Sequence, residues 1–409
     1  MLETPFRLTL VALVALTALV ALPAAARAAQ HTFDDDIAFL RQRLEVVVLG
    51  EGTGARVAVV PTWQGRVVTS TVGGPEAPSY GWINRELAAS GKLLPHMNAF
   101  GGEDRLWLGP EGGQYSIFFK KGDPFDLEHW QTPALIDSEP WSVAERFARQ
   151  VSFKRESHLV NYSGTRFDFR LERTVRLLER DAAAKALGAE LPAGLKLVAF
   201  ESENVLVNTG KGAWTKPAGL LSIWVLGMFQ PTPGTTVVVP YREGPDSELG
   251  PVANDAYFGK VPADRLRVKQ GLVFFKGDGE HRSKIGLSPR RATGLAASYD
   301  ASRGVLTFVR YSRVESATDY VNSMWEIQKE PFSGDVVNSY NDGAPEPGKK
   351  PLGPFYELET SSPAAALAPG ASLTHVHRTF HVQGDHAQLD ALARSLLGVK
   401  LQAIESALR

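Results

Sequence analysis

Short segments with the composition of β-strands recur along most of this chain, separated by clusters of glycine, proline, asparagine and aspartate. Residues 166–178 show the pattern most clearly, since Phe167 and Phe169 alternate with Asp168 and Arg170, as in a strand with one buried face. Further strands are predicted, in chain order, at 46–49, 56–60, 66–71, 115–119, 196–207, 220–229, 235–239, 271–275, 305–311, 355–360 and 372–382. This series predicts an all-β fold: a large antiparallel β-sandwich with short peripheral helices.

Helical patterns are confined to a few segments. Residues 34–44 begin with aspartates and continue with apolar residues at helical spacing, and residues 181–190 are rich in alanine. Residues 385–408 place leucines along one stripe of an amphipathic helix. We therefore expect a single β-sandwich domain over residues 30–409, closed by a C-terminal helix at 385–408.

The first 29 residues are typical of a secretory signal peptide. Arg7 precedes an apolar run at 8–22, and small residues follow at 24–29. We expect cleavage near Ala28 or Ala29 and a periplasmic or secreted protein with no membrane association after cleavage. A membrane anchor is the alternative, although the apolar run is short for a span. Because the chain has no cysteine, it has no disulfides, no lipid-modified cysteine and no thiolate metal site.

The charge balance limits the classes of partner. The formal net charge is −1 at pH 7, so the composition indicates neither a nucleic acid nor an anionic membrane surface as a partner. Neither Gly101-Gly102 nor Gly112-Gly113 is followed by a helical pattern, so these glycine pairs do not form a phosphate-binding loop. We expect no cofactor.

Polar and aromatic residues are concentrated between His96 and Gln114, around the two glycine pairs. Glu103, Asp104 and Arg105 stand next to each other there, two residues before Trp107. Two interpretations apply. The charges pair with one another in a structural hairpin, or the segment is a shaped loop that binds a ligand at the edge of a sheet.

Two strands near the C-terminus also align polar side chains. Glu357 and Glu359 share one face of the strand at 355–360, and one of them is a candidate general base. His375, His377 and His381 share one face of the strand at 372–382. These histidines are interpreted as solvated surface residues, as catalytic or sugar-contacting groups, or as metal ligands, because imidazole suits each role.

The mature chain resembles a family of exported bacterial proteins of unknown function, of the DUF6786 type, related to the galactose mutarotase-like (aldose 1-epimerase-like) supersandwich. The resemblance is carried by NAFGGEDRLWLGPE at 98–111, SIWVLGMF at 222–229, SKIGLS at 283–288, GPFYELETSS at 353–362 and THVH at 374–377. It implies an antiparallel sandwich with a carbohydrate-sized groove on one concave face.

Mutarotases use a histidine acid and a glutamate base, with an Asn-Arg pair and a histidine ahead of a Gly-Gly. Asn84-Arg85 and His96 stand in a similar order here, ahead of Gly101-Gly102. The central histidines are His158 and His281, and neither lies in a motif that matches the mid-chain catalytic histidine of that family.

The resemblance and the residues together predict an exported carbohydrate-active or carbohydrate-binding protein for a mono- or oligosaccharide. In an epimerase-like reaction, Glu357 would take the anomeric hydroxyl proton, and His375 or His377 would protonate the ring oxygen. Predicted substrate-binding residues are Asn98, Glu103, Asp104, Arg105, Trp107, Glu111, Asn341 and Asp342. The alternatives are a non-catalytic sugar-binding module and a glycoside-cleaving enzyme in which Glu103 or Glu111 faces Glu357.

A single groove requires that distant parts of the chain meet. We predict that residues 96–114 and 338–377 converge, since each gathers carboxylates, amides or imidazoles that need partners when buried. Arg105 or Glu103 is then expected within about 10 Å of Glu357, His375 or His377, a span that one sugar ring would bridge.

Overall fold

Antiparallel sheets account for most of the regular structure of this computed structural model, which describes residues 31–52, 54–74 and 78–409. The predicted signal peptide lies outside the described residues. Residues His31–Arg409 form one compact unit. The described strands form sheets of three, ten and five strands, which confirms the predicted all-β sandwich.

The two smaller sheets take their strands from both ends and the middle of the chain. The three-stranded sheet has the order β1-β2-β3, with bounds Val47–Leu49, Arg56–Val60 and Arg66–Thr71. The five-stranded sheet is made of β4 (Arg105–Gly109), β9 (Ser222–Phe229), β13 (Ser283–Leu287), β16 (Val337–Asn341) and β17 (Tyr356–Ser361). Its order is β13-β16-β17-β9-β4, so β4 and β17 both pair with the central strand β9.

The ten-stranded sheet forms the other layer of the sandwich. Its strands are β5 (Val143–Phe147), β6 (Gln150–Val160), β7 (Arg166–Leu177), β8 (Lys196–Asn208), β10 (Thr235–Pro240), β11 (Leu266–Lys269), β12 (Leu272–Lys276), β14 (Leu295–Asp300), β15 (Val305–Tyr311) and β18 (Ser372–Gln383). The order is β11-β12-β10-β14-β15-β18-β8-β7-β6-β5. Long strands near its centre, β8 and β18, pair along their whole length.

Helices lie at the periphery of the sheets. They are α1 (Phe33–Leu40), α2 (Arg85–Ser90), α3 (Ala134–Asp137), α4 (Arg180–Leu187), α5 (Asp246–Leu249), α6 (His386–Leu397) and α7 (Leu401–Glu405). Thr32 caps the N-terminus of α1 and forms a capping box with Asp35, which satisfies two backbone N–H groups. Among the described residues, no helix has the length and hydrophobicity needed to cross a bilayer.

The sandwich interior has two apolar halves, each built from both large sheets. In one half, Phe169 of β7 packs in the same cluster as Ile223 of β9. In the other half, Phe275 of β12 belongs to the same cluster as Leu358 of β17. The outer face of the ten-stranded sheet is also apolar, and α4, α6 and α7 cover it. Both faces of β8 and β18 are therefore buried at the end of the pair that contains Ala199 and Phe380.

A layer of buried polar side chains, which we call the polar seam, lies between the large sheets. Arg173 of β7 donates to Asp104 over 2.6 Å and to Asn204 over 2.7 Å. Thr360 of β17 is hydrogen-bonded to His375 and to His377 of β18, each over 2.8 Å. All six residues are buried, and the hydrogen bonds satisfy polar groups that would be costly to leave unpaired.

Two element predictions were wrong. Residues 115–119 are not a strand: the strand is β4, and the apolar residues of 115–119 pack as loop into the core. The predicted helix at 385–408 is two helices, because α6 ends at Gly398, whose φ of 69° is left-handed. Hydrophobic composition predicted burial correctly in both segments, but it did not predict the backbone path.

Candidate functional site

A cleft of about 600 Å³ opens on the face of the five-stranded sheet that points away from the sandwich interior. Side chains alternate along a strand, so every second residue of these strands reaches this face. Arg105 and Trp107 of β4, with Glu357 of β17, lie on the cleft floor. The remaining floor residues on strands are Trp224, Leu226, Met228, Lys284 and Tyr340.

Loops from six parts of the chain build the walls and the mouth. Glu111 follows β4 after Pro110 and lines the floor, the mouth and an adjoining cavity. Arg282 precedes β13, and its guanidinium carbon lies 3.9 Å from the ring centre of Phe258. Other residues at the mouth are Leu94, His96, Leu127, Glu128, Trp130, Trp325, Asp342, Lys350 and Leu352.

Charged side chains on the floor are paired across neighbouring strands. Arg105 forms an ion pair with Glu357, and both side chains are buried. Lys284 lies 2.8 Å from the carboxylate of Glu359, which also accepts a hydrogen bond of 3.0 Å from the indole of Trp224. The alternation of Glu357 and Glu359 on β17 therefore places two carboxylates on one buried face, each with its own cation.

Burial raises the affinity of several carboxyl groups for protons at this site. The pKa of Glu111 is raised to about 7, chiefly by burial, while nearby Lys284 acts in the opposite direction. Burial also raises the pKa of Glu357, and Arg105 opposes that rise. At the mouth, burial raises the pKa of Asp342 to about 6. The cleft thus holds carboxyl groups that exchange protons near neutral pH.

Aromatic rings surround these carboxyl groups. Trp107 and Trp224 meet edge to face with ring centres 5.5 Å apart, and Trp130 stacks on Trp325 at 5.8 Å. Within the described part of the chain, the indole nitrogens of Trp107 and Trp130 have no hydrogen-bond partner, although both are buried. An unsatisfied buried group costs about 1–3 kcal/mol, and an acceptor oxygen of a ligand in the cleft would satisfy these two donors.

The predicted convergence of the two segments is confirmed. Arg105 from the first segment contacts Glu357 from the second directly. Trp107, Glu111 and Asp342 line the same cleft. These five residues were among those predicted from the sequence.

The predicted location of His375 and His377 in the groove is wrong. Both side chains point into the sandwich interior and belong to the polar seam, where burial lowers their pKa values to about 3 and about 4. Neutral imidazoles with such low pKa values cannot serve as acids near neutral pH. His381 is also interior: it lies 2.8 Å from Glu103 and 2.9 Å from Thr307.

Glu103 and Asp104 also lie in the interior and do not line the cleft. Ser70 donates to Glu103 over 2.9 Å, and Ser202 donates to Asp104 over 2.7 Å. Glu103 is therefore a structural partner of His381. The hairpin interpretation is wrong as well, because the partners of these carboxylates come from distant strands.

Asn98 and Asn341 are structural residues too. The side-chain amide of Asn98 donates to Asp137 over 2.6 Å, which fixes the loop before β4. The Asn341 carbonyl oxygen accepts from the backbone N–H of Gly279 over 2.8 Å. Buried side-chain amides readily form hydrogen bonds with backbone groups. Asn98 and Asn341 therefore stabilise loops and do not contact a ligand in the cleft.

Of the residues that follow the mutarotase motif order, only His96 lies at the cleft, whereas Asn84 and Arg85 do not. Asn84 caps helix α2 by accepting from Leu87 N over 3.0 Å, and Arg85 pairs with Asp36, so these residues support the helix. His96 lies at the mouth of the cleft, where Nδ1 is 2.7 Å from the carbonyl oxygen of Trp130. His281 is exposed and does not line the described cleft.

Sequence reasoning missed several residues of the floor and walls. Lys284 and Trp224 lie within the segments 283–288 and 222–229 that carry the family resemblance, at positions facing the cleft. Alternation in those strands was the available signal. Tyr340, Arg282 and Phe258 had no such signal, because their location depends on how the strands pair and how loops fold over them.

Metal binding was one interpretation of the histidine row, which consists of His375, His377 and His381. Among the described residues, no group of three or more histidine, aspartate or glutamate side chains is arranged to hold a metal ion. The hydrogen bonds of the row to Thr360, Thr307 and Glu103 account for most of its ring nitrogens.

Several solved structures align with most of this chain at low identity. A Synechocystis protein has 14% identity and a TM-score of 0.49, covering 84% of this chain and 97% of its own. A proposed aldose 1-epimerase from Escherichia coli K12 has 12% identity and a TM-score of 0.48, covering 84% and 100%. A galactose mutarotase-like protein from Lactobacillus casei has 10% identity and a TM-score of 0.46, covering 82% and 100%.

Sequence comparison gives a more specific result. Curated protein sequences provide no significant match. A family model, described as a family of unknown function (DUF6786), matches residues 31–408, which is nearly the whole described chain. The motifs at 98–111 and 353–362, which supply Arg105 and Glu357 to the cleft floor, fall within that match. The chain belongs to the DUF6786 family.

Proposed function

We propose that the cleft binds a carbohydrate and that Glu111 and Glu357 exchange protons with the anomeric centre of the bound sugar. One observation carries the proposal: two carboxyl groups with pKa values raised by burial border a single cavity lined by tryptophans. Acid–base chemistry near neutral pH needs groups with such pKa values, and perturbed pKa values concentrate at functional sites. Aromatic rings provide apolar faces for the C–H side of a sugar ring.

The surroundings of the two carboxyl groups suggest different roles. Glu111 forms no ion pair with any described residue and is protonated in part at pH 7, which suits the acid. Glu357 lies beside the guanidinium of Arg105, which favours the carboxylate form and suits the base. This division replaces the predicted glutamate–histidine pair with a pair of carboxyl groups.

The same pair serves a free sugar or a glycoside. In a free sugar, Glu357 would take the proton of the anomeric hydroxyl while Glu111 protonates the ring oxygen, and the ring would open and reclose on either face. In a glycoside, Glu111 would protonate the leaving oxygen while Glu357 activates a water molecule. Reclosure of the sugar ring returns both groups to their starting protonation states. Glycoside cleavage instead leaves Glu111 deprotonated and Glu357 protonated, and proton exchange with water restores them.

The proposal is tested by assaying the protein against free aldoses and aryl glycosides. Exchange between anomers is followed by nuclear magnetic resonance, and glycoside cleavage by release of the phenol. We expect Glu111→Gln and Glu357→Gln each to lower the rate by roughly 100-fold or more, as for loss of a general acid or base. Glu128→Gln is the control, because Glu128 is exposed at the mouth.

Binding and chemistry are separated by a second measurement on the same variants. If wild-type protein binds sugars in calorimetry but changes none of them, the cleft is a sugar-binding module and the catalytic part of the proposal fails. If no neutral or acidic sugar binds at millimolar concentration, the carbohydrate proposal as a whole is wrong.

We also propose that the protein is exported, on the basis of the signal-peptide pattern in residues 1–29. After expression of the full chain in a Gram-negative host, we expect the periplasmic fraction to contain a product that begins at Ala29 or Gln30. Intact-mass measurement distinguishes this product from the uncleaved chain of 409 residues. Recovery of only the uncleaved chain in the cytoplasm would contradict export.

A further inference from the structure

Exposed hydrophobic side chains gather around the mouth of the cleft. Ten large hydrophobic residues are strongly exposed in the described part of the chain, and Leu94, Leu127, Phe258 and Leu352 among them line this one cavity. Their exposed fractions are 47%, 49%, 41% and 48%. Single exposed hydrophobic residues are ordinary, but a group of them around one opening indicates a binding surface.

Separate loops supply these residues, so local sequence composition does not explain the group. Leu94 precedes β4, Leu127 lies in the long loop after β4, Phe258 precedes β11, and Leu352 precedes β17. Two more of the ten are close in sequence to lining residues: Leu93 is next to Leu94, and Ile327 is two positions after Trp325. We call Leu94, Leu127, Phe258 and Leu352 the apolar rim.

The cavity inside the apolar rim adjoins the cavity over the charged floor, and the two share lining residues. Glu111, Phe258 and Leu352 border both the mouth and the floor. The mouth has a volume of about 600 Å³, whereas the cavity over the floor has about 90 Å³. An occupant that reaches the floor therefore fills more space between the rim residues than between the charged residues.

The shape of the surface favours a small molecule over a protein partner. A stable protein interface buries about 800 Å² on each partner over a broad surface, whereas the rim surrounds a concave cavity of the size that small ligands occupy. A ligand in this cavity would place polar groups at Arg105, Glu357 and Glu111 and an apolar group between the rim residues.

We infer that the ligand of the cleft is an amphiphilic glycoconjugate, in which an alkyl or aryl group attached to the sugar packs between the residues of the apolar rim. The inference rests on the proposed sugar binding and specifies its substrate class. The sugar lies on the polar floor, where hydroxyl groups replace water at the charged side chains. The attached group removes apolar surface of the rim from water, which favours binding.

Matched pairs of ligands test the inference. Methyl and octyl 1-thio-β-glycosides of glucose, galactose and mannose differ only in the alkyl chain, and the thio linkage resists cleavage. Binding is measured by calorimetry below the critical micelle concentration. For at least one sugar we expect the octyl compound to bind roughly tenfold more tightly or better, since each buried methylene contributes to affinity.

Rim variants connect that difference to the structure. Leu94→Ser combined with Leu127→Ser should reduce the octyl-over-methyl ratio by roughly fivefold or more, because neither leucine borders the cavity over the floor where the sugar binds. Val160→Ser combined with Val268→Ser is the matched control, because both valines are exposed and neither lines the cleft. Equal melting temperatures of the two double variants establish that both are folded.

The other outcomes each have a definite meaning. Equal affinity for methyl and octyl compounds would overturn the inference and leave sugar binding intact. Absence of binding by every compound would overturn the inference together with the proposed function. Octylphosphocholine, which has the same chain and no sugar, should bind more weakly than the best octyl glycoside. If it binds as tightly, the site recognises apolar chains alone and the inference is wrong.

Discussion

Adjacent residues of one short segment have opposite roles in this molecule. Asp104 points into the interior and pairs with Arg173 in the polar seam, whereas Arg105 points into the cleft and pairs with Glu357. Because side chains alternate in extended chain, a cluster of neighbouring charges is divided between two sites. The cluster of charges could be predicted from the sequence. Which charge belongs to the interior and which to the cleft depends on how β4 is placed between them, and that could not be predicted.

Asp104→Asn should therefore be costly for folding. The change leaves the fully buried guanidinium of Arg173 without its charged partner, and we expect a loss of about 3–5 kcal/mol in the free energy of unfolding. Asp34→Asn is the control, because Asp34 pairs with Arg56 at the surface. Its replacement should lower the free energy of unfolding by about 0–1 kcal/mol. Urea unfolding of both variants is the measurement, and equal losses would contradict a structural role for Asp104.

At the scale of the element, strand β18 shows why one face was assigned incorrectly. Its alternation predicted a strand and separated His375 and His377 from Val376, Phe380 and Val382. The apolar side looked like the core side, yet the histidine side faces the sandwich interior. Phe380 and Val382 are instead buried beneath the peripheral helices. Alternation gives the two faces of a strand, but the covering layers decide which face meets solvent.

The burial of this strand predicts a pH dependence. The pKa of His377 is lowered to about 4, so between pH 6.5 and pH 4 the unfolded chain binds a proton at this histidine that the native protein does not. This contribution makes wild-type stability fall as the pH is lowered. From pH 6.5 to pH 5, the stability of wild type relative to His377→Gln should fall by about 1–2 kcal/mol.

Urea unfolding at both pH values measures this change. His386→Gln is the control, because His386 lies on α6 with its side chain 65% exposed. A constant difference between wild type and His377→Gln across this range would show that the histidine binds protons equally in the folded and unfolded states, which would contradict the lowered pKa.

For the whole molecule, the sequence was informative about architecture and less so about the site. Repeated strand patterns predicted the antiparallel sandwich, and clustered polar residues predicted that the segments of Arg105 and Glu357 would meet. The residues of the cleft walls could not be predicted from the sequence, because Phe258, Arg282 and Trp325 lie in irregular loops whose paths depend on long-range packing. Aromatic composition alone does not distinguish a cleft residue from a core residue.

We expect the C-terminal helices α6 and α7 to be required for a stable folded protein. A chain that ends at Gly384 loses α6 and α7 and uncovers the apolar outer face of the ten-stranded sheet, including Phe308 and Phe380. We expect strong binding of a hydrophobic dye and loss of a cooperative thermal transition. A chain that ends at Gly398 keeps α6 and should show an intermediate melting temperature. Full-length stability in the shorter chain would refute this role.

The polar seam has a consequence for the precision of the cleft. Thr360 fastens β17 to β18 from one side, while Glu357 and Glu359 project from the other side of the same strand. A slip of β17 by one residue would exchange the two sides, drawing carboxylates into the interior and separating Thr360 from both histidines. Apolar contacts tolerate sliding, but directional hydrogen bonds do not. The polar seam therefore fixes the register of β17, and with it the positions of the side chains that this strand contributes to the cleft floor.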